Sequence, residues 1–450
     1  MPVAQQAGRI LLEVTERLRG SRTLEILERI APLPFEPPEK VRTRQFGELS
    51  KLLAHAETNV PYYREMFRGL GIHAADIRSF EDFARLPILT KDIIRARLEE
   101  MVRQDVDRSS MHEYHTGGST GVPLKFYRDR TYMDHSDAGN FRGMLQCGWK
   151  PGEMIAFFWG GNDRMYAMSR WQFELRQTLR RKYQFDPFHA GPEEMDRWIE
   201  RWRTLKPAAV HGYASTIARF ARHVEATGQK INPVKGVFTT AEKLYPEQRE
   251  VIARVFGCHV YDCYGSSEVQ IMATECPQGR MHVNADFAVI EVDRSGPADS
   301  PTPLIVTSLL NWSMPFIRYR NEDCGELATE RCGCGNNFPL MSLKIARVSD
   351  NFVLPGDRVV HGEYFTHLMY GTEGIANFQF HQTERDHITV WIVPGPGTAE
   401  GRERSVRSIK EHIHSLSPDQ PMKVDVRETD DIPLSAGGKH RFTKSDVRLG

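Results

Sequence analysis

Apolar and polar positions along the chain change their spacing three times, and each change predicts a different kind of structure. Near the start, Ile10, Leu11, Leu12, Val14 and Leu18 recur among Arg9, Glu13, Glu16 and Arg17. That spacing predicts an amphipathic helix rather than a secretion signal. The pattern stays helical and charged to about residue 110, with turns expected at Pro32 to Pro38, Pro61 and Pro87. From about 150 to 290, short apolar runs beginning near Met154, Ala208, Val234 and His259 alternate with helical stretches near Ser215 and Pro246. This rhythm of strand and helix predicts βαβ units around a parallel sheet. Alternation from Met281 to Val292 and from Pro303 to Ser308 then predicts antiparallel strands. Beyond Asp350, two strand-like runs near Ile388 and Met422 flank a helical stretch near Arg402, which predicts a small α+β domain.

The expected fold is therefore α/β. A large N-terminal domain (1–346, helical to about 110) would combine doubly wound sheets with a β-rich subdomain, and a small α+β domain would fill 347–450. A chain of 450 residues exceeds the size at which one core keeps growing, which suits two domains.

Charge narrows the partners. Lys+Arg and Asp+Glu are equal at 59 each, so no overall field attracts nucleic acid or an anionic membrane. No apolar run approaches the ~18 residues that span a bilayer. A cytoplasmic protein acting on a small molecule is expected, and a homodimer is left open. The seven cysteines, without a secretion signal, favour free thiols or metal ligands over a disulfide framework.

Four stretches carry candidate chemistry. His115 to Pro123 packs three glycines (Gly117, Gly118, Gly121) and three hydroxyl residues (Thr116, Ser119, Thr120) into nine positions. Glycines let backbone N–H groups approach phosphate oxygens, and hydroxyls add donors. No Gly-Lys-Ser/Thr closes the loop, so it is not a Walker loop; taken alone, an ordinary hairpin turn explains it as well. Asp262-Cys263-Tyr264-Gly265-Ser266-Ser267-Glu268 follows an apolar run and so is expected at a strand end, where α/β sheets bind ligands. Tyr264 offers a ring to a purine, Ser267 a hydroxyl to the α-phosphate and Glu268 a carboxylate to magnesium. Asp323, expected just before a Gly325 turn, could accept two ribose hydroxyls, and Lys439 after Gly437 and Gly438 suits a cation delivered on a loop.

Cys276 and His282 flank a Pro-Gln-Gly turn, and Cys332-Gly333-Cys334-Gly335 forms a second knuckle. Three thiolates and one imidazole make a closed tetrahedral set suited to structural zinc. The alternative is four unrelated buried residues, a common use of cysteine.

In order and spacing, these motifs together resemble the adenylate-forming superfamily of acyl-CoA synthetases and adenylation domains, within it the phenylacetate-CoA ligase and capsule-biosynthesis branch. The Val60-Pro61-Tyr62-Tyr63-Arg64 and Leu86 to Asp92 stretches are similar to that branch in particular. The resemblance makes Thr116 to Gly121 the phosphate loop, Tyr264 to Glu268 the Tyr-Gly-x-Thr-Glu motif and Asp323 the ribose ligand. It makes Arg347 a nucleotide-contacting Arg, Asp350 the hinge before a mobile C-terminal domain, and Lys439 the catalytic Lys. Ala241 and Glu242 stand where the branch has a Gly-rich turn near adenine, which implies a tighter purine pocket; Val122 stands where it has a Lys. Asp350-Asn351-Phe352 to Gly356-Asp357-Arg358 is nearer the capsule-biosynthesis subgroup.

The activity so implied is ATP-dependent conversion of a carboxylic acid to acyl-AMP with release of pyrophosphate, then thioester formation with CoA. Transfer to an amine, an alcohol or a carrier protein is the alternative in the same class, and a nucleotide-binding protein that has lost catalysis is the alternative from another. Trp159, Gly160, His211, Gly212, Tyr213 and Ser215 are candidate acid-pocket residues, although core packing accounts equally for Trp159 and Tyr213.

Overall fold

The computed structural model describes residues 3–115, 124–160, 168–187, 191–295, 302–345, 352–360, 362–369, 372–395, 397–418, 420–432 and 441–447. A hairpin comes first, β1 (His112–His115) against β2 (Lys125–Arg128). Eleven strands then form one sheet: β3 (Ile155–Phe158), β4 (Lys182–Phe185), β5 (Ala209–Tyr213), β6 (Gly236–Thr240), β7 (Val260–Ser266), β8 (Gln270–Glu275), β9 (Met281–Val283), β10 (Ala288–Val292), β11 (Pro303–Ser308), β12 (Tyr319–Ala328) and β13 (Leu340–Ile345). Their order is β10-β11-β12-β13-β9-β8-β7-β6-β5-β3-β4. The strands β4, β3, β5, β6 and β7 are parallel, and from β7 onward every pairing is antiparallel. Parallel and antiparallel parts, expected as separate sheets, are thus fused through β7.

The parallel part follows from its sequence. Helices Pro192–Leu205, Ala214–Ala226 and Pro246–Phe256 return the chain between strands and bury Trp198, Trp202, Phe220 and Phe256 against Phe158 and Phe185. Crossover helices cover a parallel sheet, which is why β3, β5 and β6 read as apolar runs. The other face packs Ile155, Ala209, Phe238 and Tyr261 against Met144 and Trp149 of helix Arg130–Leu145 and the turn after it. The N-terminal helices are present, with Pro61 opening helix Pro61–Leu70 as its first residue, where the missing N–H costs nothing.

The C-terminal part is α+β with its own core. The strands β14 (Phe352–Leu354) and β15 (Arg358–Val360) form a hairpin, and β16 (Ile375–Glu384), β17 (His387–Pro394), β18 (Lys423–Glu428) and β19 (Thr443–Ser445) a sheet ordered β18-β17-β16-β19. Phe352, Phe365, Phe378, Phe380, Ile409 and Ile413 are buried together there. The residues from 346 to 351, where the domain boundary is expected, lie outside those described. Among the described residues no helix is long and apolar enough to cross a membrane.

Candidate functional site

The strand β7 runs further than its sequence suggests. Asp262 to Ser266 lie within it, and Ser267 and Glu268 stand in the turn to β8. The expectation of a motif after the strand end is corrected accordingly: pairing with β8, Cys263↔Thr274 through Ser266↔Gln270, keeps the backbone extended. Gly265 lets the two strands approach closely, because a Cβ there would stand 2.2 Å from the Gln270 carbonyl oxygen.

Asp323 is likewise on a strand, β12, rather than in a turn; a register shift at Cys324/Gly325 supplies the irregularity that Gly325 suggested. This places it beside Tyr264. The Tyr264 hydroxyl donates to Asp323 Oδ2 at 2.9 Å, and Asn321 Nδ2 donates to the Tyr264 oxygen at 2.8 Å. Asn321 is fully buried, and its Oδ1 accepts the Asp323 amide at 3.3 Å. Sequence reasoning passed over Asn321, since an Asn among charged residues reads as solvated; the signal was its strand position, two residues before Asp323 on the same face.

Glu268 is fully buried, with Oε1 accepting the Tyr319 hydroxyl at 2.8 Å and its carbonyl oxygen the Tyr132 hydroxyl at 3.2 Å. Asp262 Oδ1 accepts from Thr239 Oγ1 and from the Cys263 amide, both at 3.1 Å. Burial pushes its carboxyl up to about 6 despite the Thr239 hydroxyl. The Asp262 amide donates to Glu275 Oε2, and Arg249 grips both Glu275 oxygens.

On the neighbouring parallel strands, Ala241 takes a left-handed backbone (φ 67°) just after β6, where the resemblance calls for glycine. Glu242 accepts from the Ser215 amide at 2.8 Å and the Ser215 hydroxyl at 3.0 Å, in the first turn of helix Ala214–Ala226. Trp159 stacks on Tyr213 at 4.4 Å between centroids, and Phe157 lies near Trp159 and His211 at 5.5 and 5.6 Å. Gly212 permits the close approach of β5 to β3, where a Cβ would stand 2.2 Å from the Phe158 carbonyl oxygen. Gln184 fixes the backbone at Trp159 and Gly160 by donating to both carbonyls. The structure therefore gathers the six predicted pocket residues at the C-terminal ends of β3 and β5.

Thr116 to Gly121 fall on the connection between β1 and β2, whose strands pair antiparallel up to His115↔Lys125. Thr116 to Gly121, Arg347, Asp350 and Lys439 lie outside the described residues.

The cysteine cluster is assembled. Ligand atoms of Cys276, His282, Cys332 and Cys334 all lie within 4.8 Å of one another. Cys276 follows β8, His282 stands in β9, and the knuckle joins β12 to β13. Zinc bonds of about 2.3 Å to sulfur and 2.0–2.1 Å to nitrogen at tetrahedral angles imply separations of roughly 3.8 Å for S···S and 3.5 Å for S···N. The Cys276 and Cys332 sulfurs are 3.7 Å apart, and Cys334 Sγ is 3.4 Å from His282 Nε2. His282 turns Nδ1 to the Phe338 carbonyl oxygen at 2.9 Å, which directs Nε2 inward, and the Asn336 amide donates to Cys334 Sγ. The residues fit zinc, and four protein ligands would leave such an ion no open position for substrate.

The CapK C-terminal domain family matches residues 353–446. Protein CapK of Staphylococcus aureus is 23% identical over 88% of this chain and 87% of its own length. A phenylacetate-coenzyme A ligase of Thermus thermophilus is also 23% identical, over 90% of this chain and 96% of its own. Among solved structures, 2-hydroxyisobutyryl-CoA ligase in complex with 2-HIB-AMP and CoA shares the fold, with TM-score 0.60, 20% identity and 92% of each chain covered. The chain thus carries a C-terminal domain of the CapK family, is similar over most of its length to CapK and to phenylacetate-CoA ligases, and has the fold of an adenylate-forming enzyme.

Proposed function

We propose that the chain activates a carboxylic acid as its acyl-AMP at the expense of ATP and passes the acyl group to a thiol, CoA or a carrier protein. The observation that carries this reading is the Tyr264–Asn321–Asp323 cluster at the parallel-to-antiparallel junction: one aromatic face and one oriented carboxylate, 2.9 Å from the phenol, suit a base and a ribose. The relatives named as CoA ligases support the same chemistry.

The substrate carboxylate attacks the α-phosphorus, the bond to the β-phosphate oxygen breaks, and pyrophosphate leaves. No protein nucleophile is required, so catalysis is positioning plus electrostatics. Asp323 would take the ribose hydroxyls, Tyr264 would stack on the adenine, and Glu242 with the Ala241 turn would border it. Thr116 to Gly121 would hold the pyrophosphate, Arg347 would contact the nucleotide, and Lys439 would meet the charge that develops on the phosphoryl oxygens and orient the acid. Asp350 would be the hinge on which the C-terminal domain withdraws Lys439 and admits the thiol. Glu268, covered and bonded to Tyr319, would reach the magnesium that accompanies ATP only once uncovered, so Glu268→Gln is expected to raise the magnesium needed for activity. The Cys/His cluster would hold a structural zinc that contributes folding free energy and no Lewis acidity.

The test is acid-dependent exchange of labelled pyrophosphate into ATP across a panel of acids, with CoA offered afterwards to the active acid. Exchange with at least one acid is expected, and Lys439→Ala should abolish it while ATP still binds. ATP binding without exchange for any acid would favour an inactive nucleotide-binding protein.

A further inference from the structure

The face of the parallel sheet that presents Trp159 and Tyr213 continues downward into charge. The pairings Phe157↔Gln184 and Phe157↔His211 set these three side by side, and Lys182, two residues before Gln184, shares their face. Lys182 Nζ sits 3.7 Å from the Phe157 ring centroid. Among the described residues Lys182 makes no ion pair. His211 is 6% exposed, and among the described residues its buried Nδ1 has no hydrogen-bond partner. Burial pushes the imidazole down to about 3, with the Lys182 charge as the second cause, so it is neutral at pH 7.

A half-buried ammonium that makes no ion pair and a buried imidazole nitrogen that has no partner, both among the described residues, are costly in a protein that leaves them so. Cation–π contact with Phe157 offsets part of the first and nothing of the second. Arg180 and Arg19 add positive charge around Lys182, with Asp137 of helix Arg130–Leu145 as the opposing carboxylate. A ligand that brings a negative charge and a hydrogen-bonding oxygen to this depth would satisfy both groups at once.

We propose that Lys182 and His211 form the distal end of the acid pocket and bind a second anionic group of the substrate. The chain would then act on a dicarboxylic acid, whose reacting carboxylate lies near the strand ends and whose other carboxylate meets Lys182. The inference rests on reading Trp159 to Tyr213 as the acid pocket. Tyr213 is two residue steps along β5 from His211, a rise of roughly 7 Å, which matches a substrate body about one aromatic ring long.

Matched pairs test it: phenylacetate against 4-carboxyphenylacetate, and hexanoate against adipate, each in pyrophosphate exchange with the full-length protein. The diacid of at least one pair should win in kcat/KM by about 100-fold or more, since a site built for a charged group rejects analogues that lack it. Lys182→Met should bring that ratio towards one, chiefly through KM, whereas a merely structural lysine would lower both members equally. Lys182→Arg should keep a preference for the diacid. If Lys182→Met does not fold, the ratio in the parent protein decides alone. Monoacids turned over as well as their diacids would overturn the inference and leave acid activation standing; exchange with neither class would remove both.

Discussion

The Cys276–His282–Cys332–Cys334 cluster and the Tyr264–Asn321–Asp323 cluster grow from the same antiparallel strands, yet they treat their polar groups in opposite ways. In the first, four ligand atoms converge within 4.8 Å, the arrangement a bound cation would use. In the second, phenol, amide and carboxylate already satisfy one another. A ligand of the first adds to the fold; a ligand of the second must exchange with bonds already made. Loss of the first should therefore appear in stability, and loss of the second in nucleotide affinity.

The largest separation is expected from Cys334→Ser. With one ligand gone the metal should dissociate, and Tm should fall by about 10 °C, taking roughly 2–4 °C per kcal/mol for a domain of this size. Elemental analysis and calorimetry check it; a variant as stable as its parent would show that the four residues pack without metal. Asp323→Ala should do the reverse. Its ATP dissociation constant should rise about 100-fold, the worth of two hydrogen bonds to a charged acceptor, while Tm moves only a few degrees. Unchanged ATP affinity by calorimetry would remove Asp323 from the nucleotide site.

Asp262 links the clusters, because its amide is held by Glu275, the neighbour of Cys276. Its folded pKa of about 6 lies above the unfolded value of 3.8, so burial favours the protonated form. The carboxyl costs nothing below the lower value, and the penalty grows as pH rises through 6. Asp262→Asn keeps the Oδ1 acceptor for Thr239 and Cys263 and removes the charge. Its stability relative to the parent should thus improve by about 2 kcal/mol between pH 4 and pH 7 in urea unfolding; a constant difference across that range would contradict the raised pKa. The smallest effect belongs to Ala241→Gly. Relief of the left-handed alanine and the extra unfolded-state freedom of glycine nearly cancel, so stability should change by less than about 1 kcal/mol. A loss above 2 kcal/mol would mean that the Ala241 methyl packs where this account leaves it dispensable.

These positions also show what the sequence makes legible. Apolar runs disclose β3, β5 and β6 because crossover helices bury one face and helix Arg130–Leu145 the other. The edge strand β4 did not announce itself: Lys182-Tyr183-Gln184-Phe185 alternates over only four residues, and its polar positions face the proposed acid pocket. The Cys/His cluster is legible because three thiols and one imidazole stand in two short knuckles, and the structure brings these four together. Asp323 stands out by residue type but lies on a strand rather than in the expected turn, and Asn321 gives no local signal, since nothing local tells a solvated Asn from one closing a buried network. The fusion of the two sheet halves through β7 depends on long-range pairing that periodicity does not carry.

The most direct test of the whole account follows an oxygen atom. An acid found active in exchange is prepared with ¹⁸O in its carboxylate and turned over with ATP and an acceptor thiol, and the AMP is examined by mass spectrometry. Attack of the carboxylate on the α-phosphorus predicts one ¹⁸O in AMP and none in pyrophosphate. Label in inorganic phosphate, with ADP as the nucleotide product, would show an acyl phosphate and contradict adenylation.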